Sequence, residues 1–434
     1  MSRLILFLVC VFAALPLHAA DLDTRPHIDV VFAIDCSGSM GGVINTAKQK
    51  IWSIVNEIAK AKPTPVLRIG LHGYGNGDRT FRNFPLTDDL DQVYADLMTF
   101  KDEGWSSEYV GLSIQKATQE MDWKDWEKSG ASNVLRVLYV VGNETAEQGP
   151  ASYKTSAPIA LNKQIYVNAI YCGYNNNAPR VLMTPRNAPL PIVPNQAANA
   201  SRSTSIQKQA APSPNVAQNQ PQNANPPANQ PTTSVRSLSP STLDEIETWK
   251  ELARLGGGEF SQIAATGGGV TIPTPYDKEF VELNTKLNGT YISFGTRGFA
   301  LKERQLAQDT NALVVGGAAN LAARTQAKGG AIYNNRGWDL VDASKEKDFD
   351  LAKIPKEQLP AELQNMTPEQ QKQFIAEKDK ERGGLQKQIG ELGRKREEFI
   401  NAELKKNNVN LDQALDEQIL RTIRNQATNR GFKF

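Results

Sequence analysis

Apolar residues in this chain fall into short continuous runs that alternate with stretches of helical spacing. HIDVVFAI reads as a buried strand. GGVINTAKQKIWSIVNEIAKA sets Val43, Ile44, Ala47, Ile51, Ile54, Val55 and Ile58 on one helical face before Pro63 and Pro65 end it. VLRIGLHGYG then reads as a strand, DDLDQVYADLMTF and EYVGLSIQKATQEM as helices, and VLRVLYVV as a buried strand. The strand QIYVNAIYCG, the helix around TLDEIETWKELARL and a strand in GGGEFSQI close the series. Strands that alternate with helices predict an α/β fold: a doubly wound, mainly parallel sheet covered by helices on both faces.

The rhythm stops between Tyr174 and Ser241, where Asn, Gln, Pro, Ala and Ser dominate, as in NVAQNQPQNANPPANQPTTS. Such a segment cannot bury enough apolar area to offset its ordering entropy, so residues 175–240 are expected to be disordered. A strand precedes them and a helix with a strand follows, which favours an insertion inside one domain over a linker between two. The expected domain thus runs over 21–297. From 298 to 434 the chain reads as mainly helical: an alanine-rich stretch, then a long tail. In the tail Thr367, Pro368 and Gln370 form a capping box with a first-turn proline, and Leu385, Ile389, Leu392, Phe399 and Ile400 recur at helical spacing. Asn410 and Gln413 can cap a last helix carrying Leu415, Ile419 and Ile423. Two amphipathic helices packing together or on the sheet, or a partner-binding coiled coil, fit this pattern.

The 434 residues carry a formal net charge of +2, which gives no electrostatic reason to expect a nucleic-acid partner. The start, MSRLILFLVCVFAALPLHAA, joins an early arginine to a short apolar run and small residues, the pattern of a cleaved signal peptide over 1–20. No later stretch is apolar enough to span a bilayer, so a periplasmic or secreted protein is expected. Past the signal, Cys36 and Cys172 remain of 3 cysteines, and His27 and His72 of 3 histidines. A multi-histidine metal centre is therefore disfavoured, and a nucleophilic triad has few bases to choose from.

At the end of the first strand stands VVFAIDCSGSM, in which Asp35, Ser37 and Ser39 alternate before a glycine-rich exit. Ser39 has a plain reading as the cap of the following helix. The order of apolar strand, Asp-x-Ser-x-Ser and amphipathic helix is similar to von Willebrand factor A domains, whose metal-ion-dependent adhesion site begins with this motif. The resemblance covers roughly Ile28 to Gly295 and extends, through GNETAEQGP, TWKELARLGGGEFSQI and WDLVDA, to a group of exported bacterial A-domain proteins. It implies that Ser37 and Ser39 are ligands of a divalent cation, Mg2+ before Ca2+ or Mn2+, with Asp35 as the main charge. Oxygen ligands suit a small hard cation.

The family's second motif falls on the loop GWSSEYVG, where the resemblance implies Glu108 as a further ligand, with Ser106 and Ser107 as substitutes. A glutamate at a helix start, favoured by the dipole, is the plain alternative. The third motif is usually an aspartate after the fourth strand. This chain has LYVVGNET, so Gly142, Asn143 or Glu144 stands there, and Asn143 can offer a carbonyl oxygen. The expected function is a non-enzymatic module that binds a protein partner through an acidic side chain of that partner. The alternatives are a metal-free scaffold that binds through its helical tail, and a hydrolase using Ser37 or Cys36 with His72 as base.

Overall fold

The computed structural model describes residues 25–75, 81–103, 107–125, 133–173 and 240–434. The expected signal peptide and the expected insertion as far as residue 239 lie outside them. At the centre is β1 (His27–Asp35), every residue of which is buried. It pairs in parallel with β2 (Val66–Tyr74) on one side and β4 (Val134–Gly142) on the other. A strand covered on both faces needs the continuous apolar run seen in its sequence.

Beyond β4 come β5 (Tyr166–Tyr171) and β6 (Gly257–Gln262), so the strands flanking the expected insertion pair with each other in one sheet. On the other edge β3 (Arg82–Thr87) runs antiparallel to β2. The order β3-β2-β1-β4-β5-β6 is that of a doubly wound sheet, as the alternation predicts. β4 separates β1 from β5, and Cys36 and Cys172 are both free and buried.

Side chains alternate along β1 and divide the core. Val30, Phe32 and Ile34 point to a face covered by α1 (Gly41–Ile58) and α2 (Leu90–Met98). Val31 and Ala33 point to the opposite face, covered by α3 (Val110–Glu120), α4 (Tyr153–Asn162) and α5 (Pro240–Leu255). Asp35 shares the parity of Val31 and Ala33, which turns its carboxylate toward the start of α3.

After α6 (Asp277–Asn288), the helical C-terminal region comprises α7 (Gly298–Lys328), α8 (Leu340–Ala343), α9 (Pro368–Lys406) and α10 (Leu415–Thr428). It packs with the sheet as one compact unit. Gly316 and Gly317 leave helical geometry and kink α7. The capping box of Thr367 and Gln370 forms as expected. The cap expected from Asn410 does not: Ala414 precedes α10, and Asn410 instead accepts the Asp412 N–H in a turn. α10 lies on the sheet, where Tyr139 of β4 donates to the Ile419 carbonyl at 3.0 Å and Asn168 of β5 exchanges hydrogen bonds with Gln426.

Two buried ion networks lock this region down. Arg324 of α7 meets Asp91 of α2 at 2.8 Å and Asp309 at 2.6 Å, while Lys328 meets Asp309 at 3.0 Å. In WDLVDA, Asp339 and Asp342 hold Arg382 of α9 at 2.6 and 2.9 Å, and its guanidinium lies 4.1 Å from the Tyr291 ring centre. Among the described residues no helix is long and apolar enough to cross a membrane.

Candidate functional site

β1 ends at Asp35, where the register pairs it with Tyr74. The chain then turns sharply: the Ser37 N–H donates to Asp35 Oδ1 at 2.8 Å and Ser37 Oγ donates to Asp35 Oδ2 at 3.1 Å. The turn needs room beside it. Gly75, at φ +112°, supplies that room, since a Cβ there would lie 2.8 Å from Asp35 Oδ1. Ser39 Oγ lies 3.4 Å from Ser37 Oγ and is not spent on a helix cap, because Met40 precedes α1 without any side-chain cap. Its partner is the Asn143 amide, which donates to Ser39 Oγ at 2.8 Å from the loop after β4.

Glu108 completes the group. It stands two residues before α3, outside the first turn, and is only 1% exposed. Its side chain is within hydrogen-bonding reach of both Asp35 and Ser37. Burial, then the hydrogen bond and charge of Asp35, push the Glu108 carboxyl up to about 10. Burial likewise raises the Asp35 carboxyl. Even so, Glu108 Oε2 and Asn143 Oδ1 are buried with no hydrogen-bond partner. Ser107 is exposed beside Glu108, and Ser106 lies outside the described residues.

All five residues expected at the site therefore converge, from three loops distant in sequence. Their donor set is two carboxylates, two hydroxyls and a carboxamide, with two buried acceptors unsatisfied, and this fits a hard divalent cation. Among the described residues no group of three or more His, Cys, Asp or Glu is placed to hold a metal. Such a site must then draw on the serine and asparagine oxygens.

Residues 29–206 match the von Willebrand factor type A domain. The matched stretch holds β1 to β5 and stops short of β6 and the C-terminal helices. No curated protein matches the chain. Among solved structures, proximal thread matrix protein 1 from the mussel byssus, with a zinc-occupied MIDAS motif, is 15% identical with a TM-score of 0.28. That alignment covers 36% of this chain and 37% of the byssal chain. An aerotolerance-related membrane protein from Bacteroides fragilis is 14% identical over 55% of this chain and 92% of its own, with a TM-score of 0.31. Hypothetical protein BatB from Bacteroides thetaiotaomicron is 17% identical over 55% and 90%, also at 0.31.

Sequence reasoning missed the residues that brace this site. Gln148 Oε1 accepts the Glu108 N–H at 3.1 Å, and Gln148 Nε2 donates to Glu144 Oε2 at 2.7 Å. Trp249 of α5 donates its indole N–H to the Glu144 carbonyl at 2.6 Å. Only the spacing of four between Glu144 and Gln148 hinted at the first pair. The Trp249 contact spans 105 residues and left no local signal.

His72 lies elsewhere. Its ring neighbours Phe81 at 5.4 Å, its Nδ1 meets Asn83, and its Nε2 is buried without a partner. Burial pushes it down to about 4. The fold therefore holds it neutral, while the unfolded chain takes up a proton below its ordinary value near 6.5. Its stabilising contribution is full above about pH 6.5 and is lost as pH falls toward 4, a change of about 3 kcal/mol. Urea unfolding from pH 7 to 4.5 is expected to show a steeper loss for wild type than for His72→Gln. Equal slopes would contradict a neutral buried imidazole.

Proposed function

We propose that this chain is an exported, non-enzymatic protein-binding module of the periplasm or cell exterior, whose A domain holds a divalent cation. Asp35, Ser37, Ser39, Glu108 and Asn143 would hold it, with Mg2+ favoured over Ca2+ and Mn2+. The observation that carries this reading is the meeting of five oxygen-bearing side chains in which Glu108 Oε2 and Asn143 Oδ1 stay buried and unpartnered. Asp35 and Glu108 supply charge, Ser37 ties the two together, and Asn143 aligns Ser39. When bound, the cation would offer a Lewis-acidic point to an oxygen of a partner protein.

Burial supports the non-enzymatic side of the reading. It pushes the Cys36 thiol up to about 12, far from a reactive thiolate. The Ser37 hydroxyl is committed to Asp35, and His72 is engaged with Asn83 and Phe81. His72, the base that the hydrolase alternative requires, is thus held by other partners.

A ligand that binds only the native state raises its stability, by about 2.7 kcal/mol at a hundredfold excess over the dissociation constant. Thermal melting is therefore expected to show a higher Tm in Mg2+ than in EDTA for wild type and no difference for Asp35→Ala. A wild type indifferent to millimolar Mg2+, Ca2+ and Mn2+ would contradict the proposal.

A further inference from the structure

We infer that Gln148 sets the preference of this site for Mg2+ over Ca2+, as a positioning residue that holds the Glu108 and Asn143 loops at fixed spacing. The inference rests on the cation-site reading and concerns how these two residues reach one ion. Asp35, Ser37 and Ser39 belong to a single turn, so their spacing is set locally. Glu108 and Asn143 come from different loops, and their spacing has to be imposed from outside.

The Gln148 carboxamide imposes it. Its Oε1 accepts the Glu108 N–H at 3.1 Å and its Nε2 donates to Glu144 Oε2 at 2.7 Å, so both ends are engaged away from the ion. Glu144 directly follows Asn143. Its backbone carbonyl accepts from the Trp249 indole at 2.6 Å, and the Ala146 N–H donates to Thr248 Oγ1 at 3.1 Å. α5 therefore fixes the loop that carries Asn143, and Gln148 passes that fixed point on to Glu108. Close packing seats the same segments: a Cβ on Gly149, at φ +95°, would lie 2.5 Å from Tyr109 Cδ1, and one on Gly111 would run into the Ala151 carbonyl oxygen. These contacts keep α3 against the loop when Gln148 is changed, but they do not hold the Glu108 N–H.

The choice of ion follows from what each tolerates. Mg2+ demands a near-octahedral shell at about 2.0–2.1 Å, whereas Ca2+ accepts a larger, flexible shell at about 2.3–2.6 Å. A Glu108 loop released from Gln148 misplaces one carboxylate, which weakens Mg2+ more than Ca2+. Groups that orient metal ligands without touching the metal are typically worth about 10–100-fold in affinity.

The test is calorimetric titration of the full chain with Mg2+ and with Ca2+, beside thermal melting in EDTA. Gln148→Ala is expected to lose roughly tenfold in Mg2+ affinity and less than about threefold in Ca2+ affinity, with a Tm in EDTA close to that of wild type. Gln148→Glu keeps an acceptor for the Glu108 N–H but sets two carboxylates against each other, and is expected to lose Mg2+ affinity as well. Adding Glu144→Gln to it reverses donor and acceptor and is expected to recover that affinity; this double variant keeps the test decisive should Gln148→Ala not fold. A wild type that takes up no Mg2+ overturns the cation-site reading and this inference with it. A wild type that binds Mg2+, with Gln148→Ala unchanged or weakened equally for both ions, or with no recovery in the double variant, overturns this inference alone.

Discussion

Deletion of residues 411–434 is expected to abolish cooperative folding of the sheet as well as of the tail. These last residues bury Leu415, Ile419, Ile423 and Phe432, each 3% exposed or less. At roughly 1.5–3 kcal/mol per buried side chain, four of them rival the roughly 5–15 kcal/mol that holds a domain together. Their loss also strips Tyr139, fully buried on β4, of the Ile419 carbonyl, and Asn168 of Gln426. Circular dichroism during urea titration is expected to show no cooperative transition for the truncated chain. Ile423→Ala, a milder lesion, is expected to cost about 2–5 kcal/mol. A truncated chain that melts like wild type would mean that the sheet stands without α10.

The second large effect is expected at Asp309. Its carboxylate neutralises Arg324 and Lys328, and these two side chains are entirely buried. Asn284 and Asn288 also donate to it, at 2.8 and 2.7 Å. Burial already pulls Lys328 down to about 8 with Asp309 beside it. Asp309→Ala leaves both cations buried and underpaired, a lesion of about 3–5 kcal/mol. The exposed pair of Lys378 and Glu381, 2.8 Å apart, makes a control, since Glu381→Ala is expected to cost less than about 1 kcal/mol. Chemical denaturation of the two variants compares them directly, and equal costs would contradict the role given to burial.

The central part of this fold was legible because its local signals agree. β1, the Asp-x-Ser-x-Ser turn and α1 follow one another with a clear change of period, and the structure places them so. β3 escaped because RNFPLT is a half-exposed edge strand interrupted by Pro85, which a central strand would not tolerate. α4 escaped because Pro158 lies inside it and its apolar face is weak. The seat of α10 on the sheet was not legible, since the hydrogen bond from Tyr139 to Ile419 joins positions 280 residues apart.

The same division holds at the site. The cluster of Asp35, Ser37 and Ser39 stood out in the sequence, but its role as a ligand set, like that of Glu108 and Asn143, came only from a resemblance to a known family. The Gln148 bridge and the Trp249 anchor needed the folded chain, because each depends on loops brought together by the strand order. Ser39 shows the limit from the other side. Its sequence position suits a helix cap, yet Met40 takes that place and Asn143 claims the hydroxyl.

Calorimetric titration of Mg2+ into wild type, Glu108→Ala and Asn143→Ala tests the cation site most directly. A carboxylate holds a hard cation more strongly than an amide carbonyl, so Glu108→Ala is expected to weaken binding more than Asn143→Ala. Wild type is expected to bind one ion per chain with millimolar affinity or better. Absence of binding by wild type, or binding that Glu108→Ala leaves untouched, would contradict the assignment.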